Sequence, residues 1–416
     1  MFRLLYIDPG TGSMLFTILI GLLGAAMYFF RGLYMKLRFL LTGGKADKIN
    51  DKKLPIVIFT DHKRYWNTFE PICDAFEERH QQLYYYTMSP DDPGLQKEYK
   101  YIKAEFIGDG NKAFARMNML NATMVLSTTP SLDVFQWKRS KYVDYYVFIS
   151  HAANDISGYR MFGIDYFDSI FLSGDYQIHQ VRKLEEIRGL PQKELIMMGV
   201  PYMDEMLKRL QSCDPLPPHE TTVLLAPSWG KSSILVKYGE RFIDALINTG
   251  YHIIVRPHPQ SYTSDKEVID RLKEKYREND RFEWNRDNDN FEVLRRSDIM
   301  ISDFSGVIFD YTLVFDKPIV YADTSFDFGP YDYHTVNEPT WTFTTLPKLG
   351  LQVREDNLDD IKSIIDECLN NPVFKEGRDE ARKETWVNIG KGTEITVDYL
   401  INKYNELVNK REEGGN

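Results

Sequence analysis

The sequence predicts an α/β protein of two Rossmann-type, doubly wound domains with a cleft between them, preceded by one N-terminal transmembrane helix. Three observations carry this. Short apolar, β-branched and aromatic runs alternate with segments of helical periodicity from residue 55 to residue 322, the pattern of parallel strands covered on both faces. A stretch with three prolines, residues 211–220 (QSCDPLPPHE), divides that series in two. Residues 9–30 contain no charged side chain.

Within that uncharged stretch, the run MLFTILIGLLGAAMYFF is close to the minimum length that spans a bilayer, roughly 17 to 25 residues, and is apolar on all faces. Arg31, Lys36, Arg38, Lys45 and Lys48 follow it, against only Arg3 and Asp8 before it. The positive-inside rule therefore places the rest of the chain in the cytoplasm, as a single-pass protein of the plasma (inner) membrane. Ala25 and Ala26 would also suit a signal-peptide cleavage site, but basic residues directly behind the run argue against export. Residues 32–42 (GLYMKLRFLLT) read as an interfacial helix with Leu33, Leu37, Leu40 and Leu41 toward lipid. This first segment ends in a linker and closes at residue 52.

Seven strand-like runs follow: IVIFT at Ile56, LYYYTM at Leu83, YIKAEFI at Tyr101, TMVLS at Thr123, YYVFI at Tyr145, SIFLS at Ser169 and LIMMG at Leu195. Helices are expected over 67–79 and 175–187. These elements make a first α/β domain, residues 53–212, the acceptor side of the cleft if the polar residues after the strands form a transfer site. Beyond the proline-rich hinge come TTVLLAP at Thr221, HIIVRPHP at His252, RFEW at Arg281, DIMIS at Asp298 and PIVYA at Pro318, with helices over 240–249 and 264–279. They make a second α/β domain, residues 220–355, the nucleotide-donor side on the same condition. Residues 356–416 supply helices over 358–370 and 394–413 that pack back on the lobes.

Composition limits the function. At 43% hydrophobic and 27% charged residues, a 416-residue chain has the makings of folded domains. Its 51 Lys and Arg against 61 Asp and Glu, net charge -10, disfavour nucleic acid as a partner. Cys73, Cys213 and Cys368 are too scattered for a disulfide framework or a metal site. No acidic metal cluster stands out, so no metal or other cofactor is assigned.

In open α/β sheets ligands sit beyond the carboxyl ends of the strands, so polar residues there are the candidates. The strand at Tyr145 ends in Ser150-His151, and the one at His252 in Arg256-Pro257-His258-Pro259. Either imidazole titrates near pH ~6.5 and suits acid or base work. The strand at Thr221 ends in Pro227-Ser228-Trp229-Gly230-Lys231-Ser232. This is no Walker A motif, since Leu225 stands where the first glycine belongs; Lys231 or Ser232 reads either as a phosphate contact or as part of a solvated loop. The strand at Asp298 runs into Ser302-Asp303-Phe304-Ser305-Gly306 and then a short amphipathic helix. That turn reads either as a phosphate seat or as an ordinary helix cap.

At these residues the chain resembles the CDP-glycerol glycerophosphotransferase family, membrane-associated enzymes of teichoic-acid-type polymer synthesis. The resemblance runs through residues 132–151, Gly199-Val200-Pro201-Tyr202-Met203-Asp204, Ala226-Pro227-Ser228-Trp229, Arg256-Pro257-His258-Pro259, and Ser302-Asp303-Phe304-Ser305 on to Phe309-Asp310 and Lys317-Pro318. It implies a GT-B fold and transfer of a polyol phosphate from a CDP-polyol, or another nucleotide-activated donor, to a lipid-linked or glycan acceptor hydroxyl, with loss of CMP. His151 then matches the base and His258 the group that stabilises phosphate charge. Ser302, Asp303, Ser305 and Gly306 fall on the donor turn, with Arg256, Pro227, Ser228 and Lys231 beside it. The family pattern is broken where Tyr202 and Gly230 replace arginines, where Gly306 replaces a serine, and at Ala152-Ala153-Asn154-Asp155. A GT-B glycosyltransferase using a nucleotide sugar, and a non-catalytic scaffold on the same fold, are the competing readings.

Overall fold

A computed structural model of the chain describes residues 53–287, 289–322 and 325–414. The expected membrane helix and interfacial stretch lie outside them. Among the described residues no helix is long and apolar enough to cross a membrane.

Two parallel sheets organise the structure. The first contains β1 (Leu54–Thr60), β2 (Leu83–Thr87), β3 (Ile102–Phe106), β4 (Ala122–Ser127), β5 (Val143–Ile149), β6 (Ser169–Leu172) and β7 (Glu194–Met197), in spatial order β3-β2-β1-β4-β5-β6-β7. The second contains β8 (Thr222–Leu225), β9 (His252–Val255), β10 (Phe282–Trp284), β11 (Ile299–Ser302), β12 (Ile319–Ala322) and β13 (Gly350–Val353), in order β10-β9-β8-β11-β12-β13. In each the order reverses once, between β1 and β4 and between β8 and β11. A ligand crevice opens at such a switch point.

The alternation of strand side chains explains why both faces need cover. Val57, Phe59, Val125, Tyr146 and Phe148 enter one core layer of the first sheet, while Ile56, Ile58, Met124, Leu126 and Val147 enter the other. Val223, Leu225, Ile253 and Ile301 likewise separate from Leu224, Ile254 and Met300 in the second. The C-terminal helix Gly392–Gly414 contributes Val397 and Leu400 to the first sheet's core. The helix Pro201–Gln211 instead puts Met203 and Met206 into the second sheet's core. Its apolar face thus carries the chain across to the second lobe ahead of residues 211–220.

A sixth strand joins the second sheet beyond those expected. At Gly350 a Cβ would lie 1.7 Å from the Ile319 carbonyl oxygen, so this strand pairing requires glycine. The two lobes are clamped beside the cleft. The Asp155 carboxylate accepts the backbone N–H groups of Trp341 (2.9 Å) and Thr342 (2.8 Å). Arg188 of the helix Tyr176–Arg188 pairs with Asp165 at 2.6 Å and with Asp332 of the second lobe.

Candidate active site

Strand register brings the first group together. Ser127 of β4 lies opposite Phe148 of β5, so the residues after both strands emerge side by side. The Thr128 hydroxyl is 3.2 Å from His151 Nδ1. The Tyr65 ring packs on the imidazole with centroids 4.8 Å apart, and the Arg64 guanidinium lies 4.9 Å from the Tyr65 ring centre. Burial, then the Arg64 charge, pushes the His151 pKa down to about 4. The ring is therefore neutral near neutral pH. The Thr128 hydroxyl can accept from or donate to Nδ1; in the tautomer with Nδ1–H donated to Thr128, Nε2 carries the free lone pair that a general base requires.

The second histidine follows β9. His258 Nδ1 accepts the Gln260 backbone N–H at 3.1 Å, which assigns the proton of the neutral ring to Nε2. Burial pushes its pKa down to about 4, assisted by Arg64 and Arg256 and opposed by Asp265. Such a ring donates through Nε2–H to an anionic oxygen. Trp229, 43% exposed, lies beside it with ring centroids 6.4 Å apart. Arg64, from the first lobe, thus acts on a histidine of each lobe.

The turn after β11 divides by role. Ile301 pairs with Leu225, bringing the buried Ser302 hydroxyl to the Ala226 carbonyl, to which it donates at 2.6 Å. The Asp303 carboxylate, 2% exposed, accepts backbone N–H groups of Ser228 (2.9 Å), Ile234 (3.2 Å) and Phe304 (2.8 Å). Burial raises its pKa while these donors oppose the rise. Both side chains are engaged in shaping the loop after β8, with Ser302 and Asp303 bonded to that loop's backbone. The half-buried Ser305 keeps a hydroxyl with no hydrogen bond among the described residues. A Cβ built on Gly306 would touch only Ala152, at 3.8 Å, so this turn meets the loop that carries His151.

Arg256 is engaged as well. Its guanidinium donates to the Asn285 side chain and, at 2.8 Å, to the Asp287 carbonyl, bracing the loop after β10. Pro227 is buried at the start of the β8 loop, and the buried Ser228 hydroxyl has no partner among the described residues. Lys231 is exposed and makes no ion pair among them. Lys317 caps the helix Phe291–Arg296 through the carbonyls of Leu294, Arg295 and Ser297. Asp310 is buried with Oδ1 unpartnered, and burial alone pushes its pKa up to about 7. Its charge bears on Tyr202, the residue that replaces a family arginine.

Arg64, Tyr65 and Thr128 were not among the candidates from sequence. The strand order would have pointed to them, because β1 and β4 flank the switch point of the first sheet. Among the described residues no group of three or more His, Cys, Asp and Glu side chains is placed to hold a metal ion. A cavity of about 810 Å³ lies elsewhere, beside Tyr176, Trp341 and the helix Val373–Thr385. Asp175, Glu376, Asp379, Glu380 and Glu384 outnumber Lys348 and Lys383 in its wall, which is ill suited to a diphosphate.

Two Rossmann-type sheets with their strand ends gathered at one cleft define a GT-B-like protein. The chain belongs to the CDP-Glycerol:Poly(glycerophosphate) glycerophosphotransferase family, which matches residues 49–337, and so to a family of enzymes. Among solved structures, S. aureus MnaA with UDP has a TM-score of 0.57 at 13% identity, covering 85% of this chain and 97% of that one. The UDP-GlcNAc 2-epimerase of Methanocaldococcus jannaschii, with UDP-GlcNAc and UDP, has a TM-score of 0.53 at 14% identity, covering 84% and 99%. The Neisseria meningitidis UDP-GlcNAc 2-epimerase bound to UDP-GlcNAc has 0.52 at 11%, covering 83% and 99%. At such identities the likeness is one of fold. No match in sequence was found among curated proteins.

Proposed function

We propose that this protein transfers glycerol phosphate from CDP-glycerol to an acceptor hydroxyl of a cell-surface glycopolymer, releasing CMP. The observation that carries this is the pair of neutral histidines, one from each lobe, with complementary free nitrogens. His151 Nε2 takes the acceptor proton as its oxygen attacks the phosphorus that bears glycerol. The new O–P bond forms, the bridging P–O bond breaks, and its electron pair leaves on the CMP phosphate. His258 Nε2–H donates to an oxygen whose charge grows in that step, so the chemistry rests on positioning and charge stabilisation. Ser305 and Lys231 supply further donors to the diphosphate.

Family membership supports a nucleotide-activated donor, and the UDP-bound neighbours are in keeping with one. Residues 9–30 hold the enzyme at the inner face of the plasma membrane, where lipid-linked acceptors are found; their lack of charge supports this. The test is incubation of the full chain with labelled CDP-glycerol, or with nucleotide sugars, in membranes carrying acceptor. Release of CMP that His151→Ala and His258→Ala each abolish is the expected result. A nucleoside diphosphate as product would establish sugar transfer instead, and unchanged function in cells for both variants would establish a scaffold.

A further inference from the structure

The turn after β1 carries an unused cation. The Lys63–Tyr65 turn is pinned at its backbone, with Asp61 N–H donated to Thr129 Oγ1 (3.2 Å), Lys63 N–H to Ser89 Oγ (3.0 Å) and Arg64 N–H to His62 Nδ1 (3.1 Å). The nearby charges are spoken for, since Lys63 pairs with Asp91 and Asp61 accepts the Thr129 hydroxyl. Arg64 alone of this turn's charged residues has no carboxylate partner among the described residues. Its exposed guanidinium rests over Tyr65, which in turn rests on His151. After burial it is the foremost electrostatic influence on His258 across the cleft. Resting on Tyr65, this exposed cation lowers the basicity of both imidazoles and forms no ion pair among the described residues. An anion between them would give it a partner.

We propose that Arg64 binds the phosphoryl group under transfer, donating to its non-bridging oxygens and supplying from the first lobe the positive charge missing at Tyr202 and Gly230. This rests on the transfer reaction proposed above. The fork of a guanidinium matches two phosphate oxygens, and its charge is worth most as the P–O bonds change partners. Tyr65 holds the fork over the acceptor side by a cation–π contact.

The experiment compares wild type, Arg64→Gln and Arg64→Lys as full-length proteins, by CMP release from CDP-glycerol, by CDP binding, and by NMR titration of histidines. Arg64→Gln is expected to lower kcat by about 10²- to 10³-fold, the usual effect of removing one donor to a transition-state oxyanion, and Arg64→Lys to recover part of it. Arg64→Gln should also raise the titrations of His151, which faces Arg64 and Tyr65, and of His258, which faces Arg64, Arg256 and Asp265. The acid limb of the rate profile should move up with them, a change that mere loss of folding stability would not produce. Wild-type kcat and an unmoved acid limb in Arg64→Gln would overturn the proposal. If wild type releases no CMP, the transfer reading fails. In that case CDP binding weakened about tenfold or more in Arg64→Gln, with raised histidine titrations, still upholds Arg64 as the phosphate ligand, and unchanged binding rejects it.

Discussion

Binding of CDP-glycerol near pH 5.5 is expected to draw protons from solution, because both histidines are held neutral in the empty site. Each has its pKa pushed down to about 4, so each is only about 3% protonated at that pH. Both phosphates of CDP-glycerol are diesters, permanently charged and without a titration in this range. One negative charge about 5 Å from an imidazole, at an effective dielectric of ~20, contributes roughly 3.3 kcal/mol and raises its pKa by about 2.5. The bound rings then return to about 6.5 and are about 90% protonated near pH 5.5. Uptake should approach about 0.9 proton per histidine there and fall to about 0.1 near pH 7.5. Since the complex binds more protons than the free protein, affinity rises as pH falls from about 6.5 to about 4. Calorimetry without acceptor, in buffers of differing ionisation enthalpy, reads the proton number directly. His258→Gln should halve it. Measurable binding near pH 5.5 with no proton uptake would refute the placement of the diphosphate between these residues.

Ser302→Ala should leave the donor KM unchanged but lower stability by about 1–2 kcal/mol, since the buried Ala226 carbonyl loses its donor; Ser305→Ala should raise donor KM with no change in Tm, and kinetics beside thermal melts separate the two. Gly306→Ser should fold normally, because φ is -58° and the nearest obstruction to a Cβ is 3.8 Å away, and the restored hydroxyl should lower donor KM by about threefold to tenfold, a gain of ~1 kcal/mol for one hydrogen bond. Asp310 has a pKa raised from 3.8 to about 7, so the folded state binds the extra proton and stability is lost as pH rises from about 4 to about 7; Asp310→Asn should remove a cost of order 3–4 kcal/mol above that range. Urea unfolding near pH 5 and pH 8 checks it, and a variant that gains no stability at the higher pH contradicts the assignment.

The layering of the fold was plain in the sequence because parallel strands are long enough in Val, Ile, Phe and Tyr to be seen one at a time: Ile56, Thr123 and Tyr145 each mark a strand that forms. β13 was not, since Gly-Leu-Gln-Val offers few apolar residues and follows without a break from the helix Trp341–Leu349; it exists because its backbone can approach Ile319. The two histidines were legible from their places after strands. The other polar residues were not, because sequence position does not reveal which way a side chain turns. Ser302 and Ser305 look alike in the chain, yet one donates to Ala226 and the other is left free. Arg64 was hidden for a related reason: only the order in which strands pair makes β1 a switch-point strand.

The same separation of roles accounts for the departures from the family pattern. Where an arginine at position 202 could have met the buried Asp310, Tyr202 leaves that carboxyl without a cation, and burial pushes its pKa to about 7. Where an arginine at position 230 would have followed the β8 loop, Gly230 adopts φ +84° and donates its N–H to Asp265 at 2.9 Å. Arg256, the cation that the sequence keeps beside His258, is drawn away to Asn285 and Asp287. On the proposed reading a diphosphate carrying two charges then meets Lys231 on the second lobe, with Arg256 engaged elsewhere. Arg64 would add charge from across the cleft, since the lobes are clamped by Asp155 and Arg188 in an arrangement that holds it within electrostatic reach of both histidines. On the proposed reading the donor is held by its own lobe through Ser305, His258 and Lys231, and Arg64 adds its charge from the lobe of the acceptor.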